Sequence, residues 1–379
     1  MMRQLPGLAD IPDDFGYTDE VDLVRKSAQR LMAERCPMHV VRALDRDERG
    51  WDRSLWDEMA ALGWLGLALP EACGGAALGT VALATALEQT GRACLPGPLF
   101  SSSLAALALV DAGAVDACAP LATGSRIATL GLTEPDASWH PEDTRATAEK
   151  SGPDYVLNGV KTHVMWAADA DLLVAPFHVG DDIRVFAIDL PHERVAIEPE
   201  VCVDRTRRTA RVVFDDARVG PAALLPGGTL AAWRRTLTRG RALLAAEMVG
   251  AAEALLVMTR DYANERIQFG RPIGSFQAVK HPIVNVMLAV EAARSHAYAA
   301  AAAIDVDVDA AEVPSRMAKA AATDALTFAA DRAIQLHGGF GFTYDCDAHF
   351  YFKRGLWAAA TLGDAAHHRR ELASELFGD

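Results

Sequence analysis

A change of pattern in the middle of the chain sets the strongest limit on what it can fold into. Up to about residue 122 apolar residues recur at helical spacing, and from about residue 226 that spacing returns. Between these segments, short β-rich runs are separated by prolines and aspartates. Strands and helices do not alternate, so a doubly wound parallel sheet is not expected. We predict an α+β fold with a helical domain (1–122), a β domain (123–225) and a second helical domain (226–379).

Individual segments support this division. In the third segment Leu244, Met248, Ala251, Leu255 and Met258 follow one another at steps of four and three, which places them on one helix face. In the second segment, "YVLNGVKTHV" (155–164) predicts a hairpin with its turn at Asn158-Gly159. The runs "IRVFAIDL" (183–190) and "ARVVFDD" (210–216) predict strands.

Composition excludes several classes of protein. The 379 residues are 51% hydrophobic and carry a formal net charge of −14, which opposes binding to nucleic acid. Six scattered cysteines without a Cys-x-x-Cys pair indicate free thiols. Glu247 and Glu253 interrupt the longest apolar run, which indicates a buried helix and no membrane span. The N-terminus lacks the apolar core of a signal peptide, so we expect a cytoplasmic protein.

Two segments are dense in residues suited to ligand binding. In "ERIQFGRPIGSFQ" (265–277), Arg266 offers a planar guanidinium for a diphosphate, and Gly270 and Pro272 enforce a turn. In "QLHGGFGF" (335–342), Gly338 and Gly339 would end a helix and allow close approach of a ligand to the backbone. Taken alone, the first segment is explained equally well by a helix end with a surface arginine, and the second is better explained by an ordinary glycine helix cap.

With three further segments, the chain resembles the acyl-CoA dehydrogenase family over almost its whole length. These segments are "WDEMAALGWLGLALPEACGG" (56–75), "LTEPDAS" (132–138) and "VVFDDARVG" (212–220). The resemblance implies an N-terminal α-helical domain, a β-barrel-like middle domain and a C-terminal four-helix bundle. It also implies FAD as the cofactor and the α,β-dehydrogenation of an acyl-CoA thioester as the reaction.

The resemblance further implies that each FAD lies at a subunit interface. One chain holds the flavin ring, and its neighbour holds the pyrophosphate and adenosine end. The residues that match the neighbour's set are all present: Arg266, Phe269, Gln277, Gln335, Gly338 and Gly339. Of the ring-holding set Thr133 is kept, but His163 and Met165 replace the usual Trp and Ser/Thr, and "DASWH" replaces the usual Gly-x-Gly-Ser-Asp. Arg241 matches an arginine near the substrate.

The family's catalytic base has no counterpart in the chain. Counting from the matching Arg354, the usual glutamate position is Gly363, and the minority position, just before Arg241, is Gly240. We therefore assign no catalytic residue and leave Asp364 and Glu247 open as substitutes.

We do not expect a metal site in the last helix. The adjacent His367 and His368 would point about 100° apart on a helix, so they cannot chelate one ion well. The histidines and arginines of this stretch are expected to be the solvated start of the last helix.

These observations favour a subunit of a heteromeric, FAD-dependent acyl-CoA dehydrogenase, in the form of a heterotetramer. It resembles the base-lacking subunit of bacterial enzymes that act on steroid side-chain CoA thioesters. A homologous partner would supply the base, and an electron-transfer flavoprotein or a similar acceptor would take the electrons. Two alternatives stay open: a self-sufficient homotetramer with an unusual base such as Asp364, for example on a nitroalkane, and a non-catalytic structural partner.

Overall fold

The fold is described by a computed structural model that covers residues 5–8 and 11–378. Helices come first, strands follow, and helices return, which confirms the predicted α+β class. The α-helices are α1 Asp19–Arg35, α2 Met38–Arg46, α3 Arg53–Ala61, α4 Gly79–Arg92, α5 Leu99–Asp111, α6 Ala119–Ala122, α7 Leu230–Glu265, α8 Gln277–Val306, α9 Glu312–His337, α10 Ala348–Ala360 and α11 Ala365–Phe377. The strands are β1 Ala128–Leu130, β2 Thr147–Ser151, β3 Asp154–Met165, β4 Leu172–Val179, β5 Asp182–Asp189, β6 Val195–Pro199, β7 Thr209–Val219, β8 Leu224–Thr229, β9 Ile267–Gln268 and β10 Arg271–Pro272.

The chain forms two compact units. The helical unit contains the described residues up to Glu48, Thr80–Leu95, and the described residues from Arg241 onward. The β unit contains Arg49–Gly79 and Pro96–Gly240. The three domains with boundaries at residues 122 and 225 stay a prediction from composition and resemblance.

The β unit is built around an eight-stranded sheet. Seven strands follow the order β6-β7-β3-β2-β4-β5-β8, and β1 pairs with β4. In the described residues β6 and β8 do not pair with each other, so the sheet is open. Its core contains Phe177, which packs edge-on against Phe186 and Phe214 at ring-centroid distances of 5.6 and 5.1 Å.

The hairpin predicted at Asn158-Gly159 is wrong, because β3 runs through both residues. The turn lies earlier, and Asn158 pairs with Thr147 on β2. Gly159 serves a different purpose: a Cβ there would lie 2.6 Å from the Cβ of Ala146. The pairing of β3 with β7 also shifts register between Leu157 and Gly159. The glycine therefore permits a bulge and a close approach inside the sheet. The strands predicted at 183–190 and 210–216 are confirmed as β5 and β7.

The helical unit depends on close packing of α4 against α7. A Cβ on Gly91 would lie 1.9 Å from the Glu247 carbonyl oxygen, and one on Gly250 would lie 1.8 Å from the Glu88 carbonyl oxygen. Only glycine permits these approaches. Helix α7 contains an 18-residue window with a mean hydropathy of 1.7, and 72% of that window is buried. This burial agrees with the core helix predicted from the sequence.

Candidate active site

The predicted neighbour-facing residues lie on two exposed segments of the helical unit. The first is the β9–β10 hairpin, whose turn residues Phe269 and Gly270 have φ of 52° and 75°. Two consecutive left-handed residues make a tight two-residue turn, and the Phe269 side chain is left 90% exposed. Arg266 lies just before the hairpin and is also exposed. Its guanidinium forms no ion pair with any residue that the structure describes, so it is available to an anionic ligand.

The second segment is the C-terminal end of α9. The helix ends at His337, and Gly338 follows with φ 62° and ψ −140°, which confirms the predicted helix end. No atom lies within 4 Å of a Cβ built on Gly338 or Gly339, so the backbone there is open to a ligand. All six residues of the neighbour-facing set are exposed: Arg266, Phe269, Gln277, Gln335, Gly338 and Gly339.

Tyr262, on the last turn of α7, connects the two segments. Its hydroxyl donates to the His337 carbonyl oxygen at 3.3 Å, and its ring stacks on the His337 ring at 4.4 Å. Its own carbonyl oxygen accepts from the Arg266 N–H at 2.8 Å. Sequence reasoning missed Tyr262. The available signal was its position four residues before Arg266, on the turn that enters the hairpin.

Gly363 stands where the family's base is expected, in the turn between α10 and α11. Its φ is +91°, which side-chain-bearing residues rarely adopt. A Cβ built there would lie 2.6 Å from His367 Cδ2 and 2.9 Å from both Cε1 and Nε2 of His368. The beginning of a glutamate side chain is therefore blocked by the two histidines.

Neither alternative base identified from the sequence is free in this structure. Asp364 is the exposed N-cap of α11, and its Oδ1 accepts from the His367 N–H at 2.6 Å. Glu247 is buried and forms an ion pair with Arg354 at 2.7 Å, with side-chain exposures of 3% and 2%. Both carboxylates already have structural partners. Gly240, at the minority position, is buried within α7.

Arg241, the predicted substrate residue, is nine-tenths buried and paired within the helical unit. Its Nη1 lies 2.8 Å from Glu312 Oε1 and 3.4 Å from Ser315 Oγ. Burial lowers the pKa of the guanidinium, and the Glu312 carboxylate partly offsets that effect. The same Glu312 oxygen also accepts from Arg316 at 2.8 Å. A role for Arg241 towards substrate stays a prediction.

Sequence reasoning missed a buried lysine beneath the Gly363 turn. Lys319 Nζ donates to the Gly363 carbonyl oxygen at 2.9 Å, to Thr323 Oγ1 at 3.1 Å and to the Ala359 carbonyl oxygen at 3.4 Å. Its pKa is lowered to about 7, chiefly by burial; the Asp364 charge opposes this shift and the Arg241 charge adds to it. The sequence around Lys319 does not indicate this role, because a single lysine within a helix is usually exposed.

The predicted solvated start of the last helix is wrong for His368. This side chain is 0% exposed, and neither ring nitrogen has a hydrogen-bond partner. Burial is the largest cause that lowers its pKa to about 2, and the charges of Arg241 and Lys319 act in the same direction. His368 is therefore a neutral imidazole that faces the Gly363 turn.

In the β unit, Thr133 is buried and already hydrogen-bonded. Its Oγ1 donates to the Thr162 carbonyl oxygen at 3.0 Å. The next residue, Glu134, forms a buried ion pair with Lys161 at 2.6 Å and accepts from the Arg145 N–H at 2.8 Å. The cavity beside this loop has a volume of about 20 Å³. That volume holds about one water molecule.

The two replaced flavin-contacting positions differ in exposure. His163 has a left-handed φ of 55°, is largely exposed, and its Nδ1 lies 3.2 Å from Glu200 Oε2. Met165 is buried. Trp166 is 1% exposed, so it does not present its ring as a replacement for the family's tryptophan.

Comparison with known proteins identifies the same family over almost the whole chain. The family profile described as acyl-CoA dehydrogenase, N-terminal domain, matches residues 18–117, and the profile described as acyl-CoA dehydrogenase, C-terminal domain, matches residues 227–377. The acyl-CoA dehydrogenase IpdE2 of Mycobacterium tuberculosis is 34% identical over 95% of this chain and 98% of its own length.

Solved structures share the fold. A variant of the Tcur3481–Tcur3483 steroid ACAD aligns with a TM-score of 0.86 and 31% identity over 94% of this chain and 98% of that one. The ChsE4–ChsE5 complex of Mycobacterium tuberculosis aligns with a TM-score of 0.89 and 27% identity over 96% and 98%. The predicted acyl-CoA dehydrogenase fold is thereby confirmed. The chain therefore belongs to the acyl-CoA dehydrogenase family, whose members are FAD-dependent oxidoreductases that act on the CH–CH bond of an acyl-CoA.

Proposed function

We propose that this chain is a subunit of a heteromeric acyl-CoA dehydrogenase and completes the FAD site of a homologous partner. In this assembly the partner supplies the ring-binding face and the base. The observation that carries the proposal is a contrast between two positions. The neighbour-facing residues are exposed and open, whereas the position of the base is a glycine whose Cβ would collide with His367 and His368.

The residues of this chain fit one end of FAD and do not fit the other. The unpaired guanidinium of Arg266 suits the diphosphate, and the open backbone at Gly338 and Gly339 allows phosphate or ribose to approach closely. In the β unit, the hydroxyl of Thr133 is engaged with the Thr162 carbonyl oxygen, and His163 and Met165 replace the residues expected to contact the ring. Bound FAD supplies the hydride acceptor for α,β-dehydrogenation. This chain would orient that cofactor through its diphosphate and adenosine end.

We propose a steroid side-chain CoA thioester as the substrate class and an electron-transfer flavoprotein or similar acceptor as the redox partner. The names of the aligned structures support the first suggestion, since one is described as a steroid ACAD. A cytoplasmic location is also proposed, and the six free cysteines, five of them buried, support it.

Co-expression with a homologue that keeps the glutamate and the flavin-covering tryptophan tests the proposal. We expect a yellow complex with dehydrogenase activity. Arg266→Met in this chain should lower flavin retention by about tenfold, because a charge-assisted contact to the diphosphate is lost. The control is Arg260→Met, since Arg260 is exposed and, among the residues that the structure describes, forms its ion pair with its neighbour Asp261. Full flavin content and activity from this chain alone would contradict the proposal and favour a self-sufficient homotetramer.

A further inference from the structure

A cavity of about 430 Å³ in the helical unit is not used by the proposed FAD site. It is lined by residues of α1, α4, α7 and α8 and by the turn that precedes α1. None of the residues that we propose as contacts of FAD lines it. Its volume falls within the range of roughly 300–1,000 Å³ that is typical of small-molecule sites. The cavity therefore has room for a small organic ligand.

The charged side chains of this cavity are already paired with one another. Glu88 accepts from Arg294 Nε at 3.0 Å, and Glu253 accepts from Arg294 Nη2 at 3.0 Å and from Arg92 Nη1 at 3.3 Å. The other charged side chains of the lining have partners of their own, which are Asp22 for Arg25 and the Gly16 N–H for Asp14. Because these groups neutralise one another, the lining favours a neutral ligand over an ionic one.

Gln89, on α4, has an unsatisfied hydrogen-bond acceptor at this cavity. The residue is 4% exposed, and its Oε1 is buried without a partner in the part of the chain that the structure describes. The large majority of buried side-chain polar atoms are hydrogen-bonded, so this oxygen calls for a donor. Gln89 also lines a neighbouring cavity of about 470 Å³, so its side chain lies where the two cavities meet. A ligand with an O–H or N–H group would satisfy this oxygen.

Aromatic rings form another part of the lining. The turn before α1 brings Phe15 and Tyr17 to the cavity, and Phe15 has a left-handed φ of 55°, which is uncommon for a bulky residue. Tyr17 packs edge-on against Tyr298 at a ring-centroid distance of 5.9 Å. The Tyr298 hydroxyl donates to Glu88 Oε2 at 2.7 Å, so its ring is held in place. These rings suit a ligand with a flat or cyclic apolar body.

We propose that this cavity binds a neutral phenol or cyclic alcohol. The ligand hydroxyl donates to Gln89 Oε1, and the ring system packs against the rings of Phe15, Tyr17 and Tyr298. The paired charges of the lining exclude a preference for an anion or a cation. All of the lining residues belong to the helical unit. The site therefore does not depend on the proposed heteromer and is tested separately.

Isothermal titration calorimetry of the full-length chain with 2-naphthol, at about pH 7, tests the proposal. The phenolic hydroxyl is neutral at this pH and can donate a hydrogen bond. Two analogues serve as controls: 2-methoxynaphthalene keeps the rings and lacks the donor, and 2-naphthoate carries a negative charge. We expect saturable binding of 2-naphthol, at least about fivefold tighter than that of either analogue. Absence of 2-naphthol binding, or equal or tighter binding of either analogue, would overturn the proposal.

Gln89→Met tests whether 2-naphthol binds in this cavity. The change removes the acceptor and keeps a side chain of similar length, so the affinity for 2-naphthol should fall by about fivefold. Because the oxygen has no partner, the Tm should stay unchanged or rise. Thr90→Val is the matched control: Thr90 is also buried on α4, its Oγ1 donates to the Leu87 carbonyl oxygen at 2.9 Å, and it lines neither cavity. This change should lower the Tm and leave the affinity unchanged.

Tyr17→Ala covers the case in which Gln89→Met does not fold. It removes one of the rings that contact the proposed ligand, and Tyr17 is only half-buried in the turn before α1. The affinity for 2-naphthol should again fall by about fivefold, because the contact with the ring is lost. Unchanged 2-naphthol affinity in either variant, once it is folded, would show that the probe binds elsewhere and would overturn the proposal.

Discussion

At residue 363 two separate obstacles oppose any side chain: a φ of +91° and contacts of 2.6–2.9 Å to His367 and His368. The sequence itself shows that a glycine replaces the glutamate expected at this position. The contacts depend on the burial of the His368 ring. Two adjacent histidines at the start of a helix do not reveal that burial. The absence of the expected base could therefore be predicted from the sequence, but the packing of the two histidines around residue 363 could not.

Gly363→Ala should destabilise the helical unit more than a left-handed backbone alone explains. We expect a loss of about 2–4 kcal/mol in the free energy of unfolding, from backbone strain plus the clash with both histidines. Gly113→Ala is the control, because Gly113 has a φ of +74° with no atom within 4 Å of its Cβ position. That change should cost only about 1 kcal/mol. Equal losses in urea denaturation would show that the histidines yield easily.

Lys319 should make stability depend on pH in the alkaline range. Its pKa is about 7 in the folded chain and 10.5 when unperturbed, so between these values the unfolded chain binds more protons. Stability should therefore rise with pH across this interval, by up to about 1.4 kcal/mol per pH unit for one proton. The Lys319→Met chain should lack this rise, and the control chain Lys280→Met should keep it, because Lys280 is exposed on α8. Urea denaturation from about pH 7 to about pH 9.5 measures both slopes. A rise that persists in the Lys319→Met chain would contradict this assignment.

At the scale of elements, strands and helices with strong periodicity were predictable, and close approaches were not. The apolar steps of four and three in α7 and the β-rich runs at β5 and β7 depend on local spacing, which a single sequence displays. Asn-Gly is a strong hairpin signal, so the sequence predicts a turn at Gly159. In the structure this glycine instead allows the close approach of Ala146 beside a bulge. Long-range contacts of this kind leave no mark in the local sequence.

Tyr262 should hold the hairpin and the Gly338 loop in one arrangement for the cofactor of the partner. Tyr262→Ala removes the stacking on His337 and the hydrogen bond to its carbonyl oxygen, and we expect flavin retention in the complex to fall by about tenfold. Tyr262→Phe keeps the ring and should lose much less. The measurement is flavin absorbance after gel filtration of each complex. Equal retention in Tyr262→Ala and the unmodified complex would remove Tyr262 from the site.

At the scale of the whole molecule, the family could be recognised from several matching segments in the correct order. The division into two compact units could not, because it groups Thr80–Leu95 with the distant residues from Arg241 onward. The functional interpretation likewise combines features far apart in the chain: exposed residues at 266–277 and 335–339, and a filled position at 363. Together they support the proposal that this chain contributes to catalysis through a partner.

The number of FAD molecules per chain tests this interpretation most directly. The co-purified complex of this chain with its glutamate-bearing homologue should contain one FAD for each pair of chains, by flavin absorbance against protein concentration. The same chain purified alone should retain almost none. One FAD for every chain in the complex, or a stoichiometric FAD on this chain alone, would contradict the interpretation.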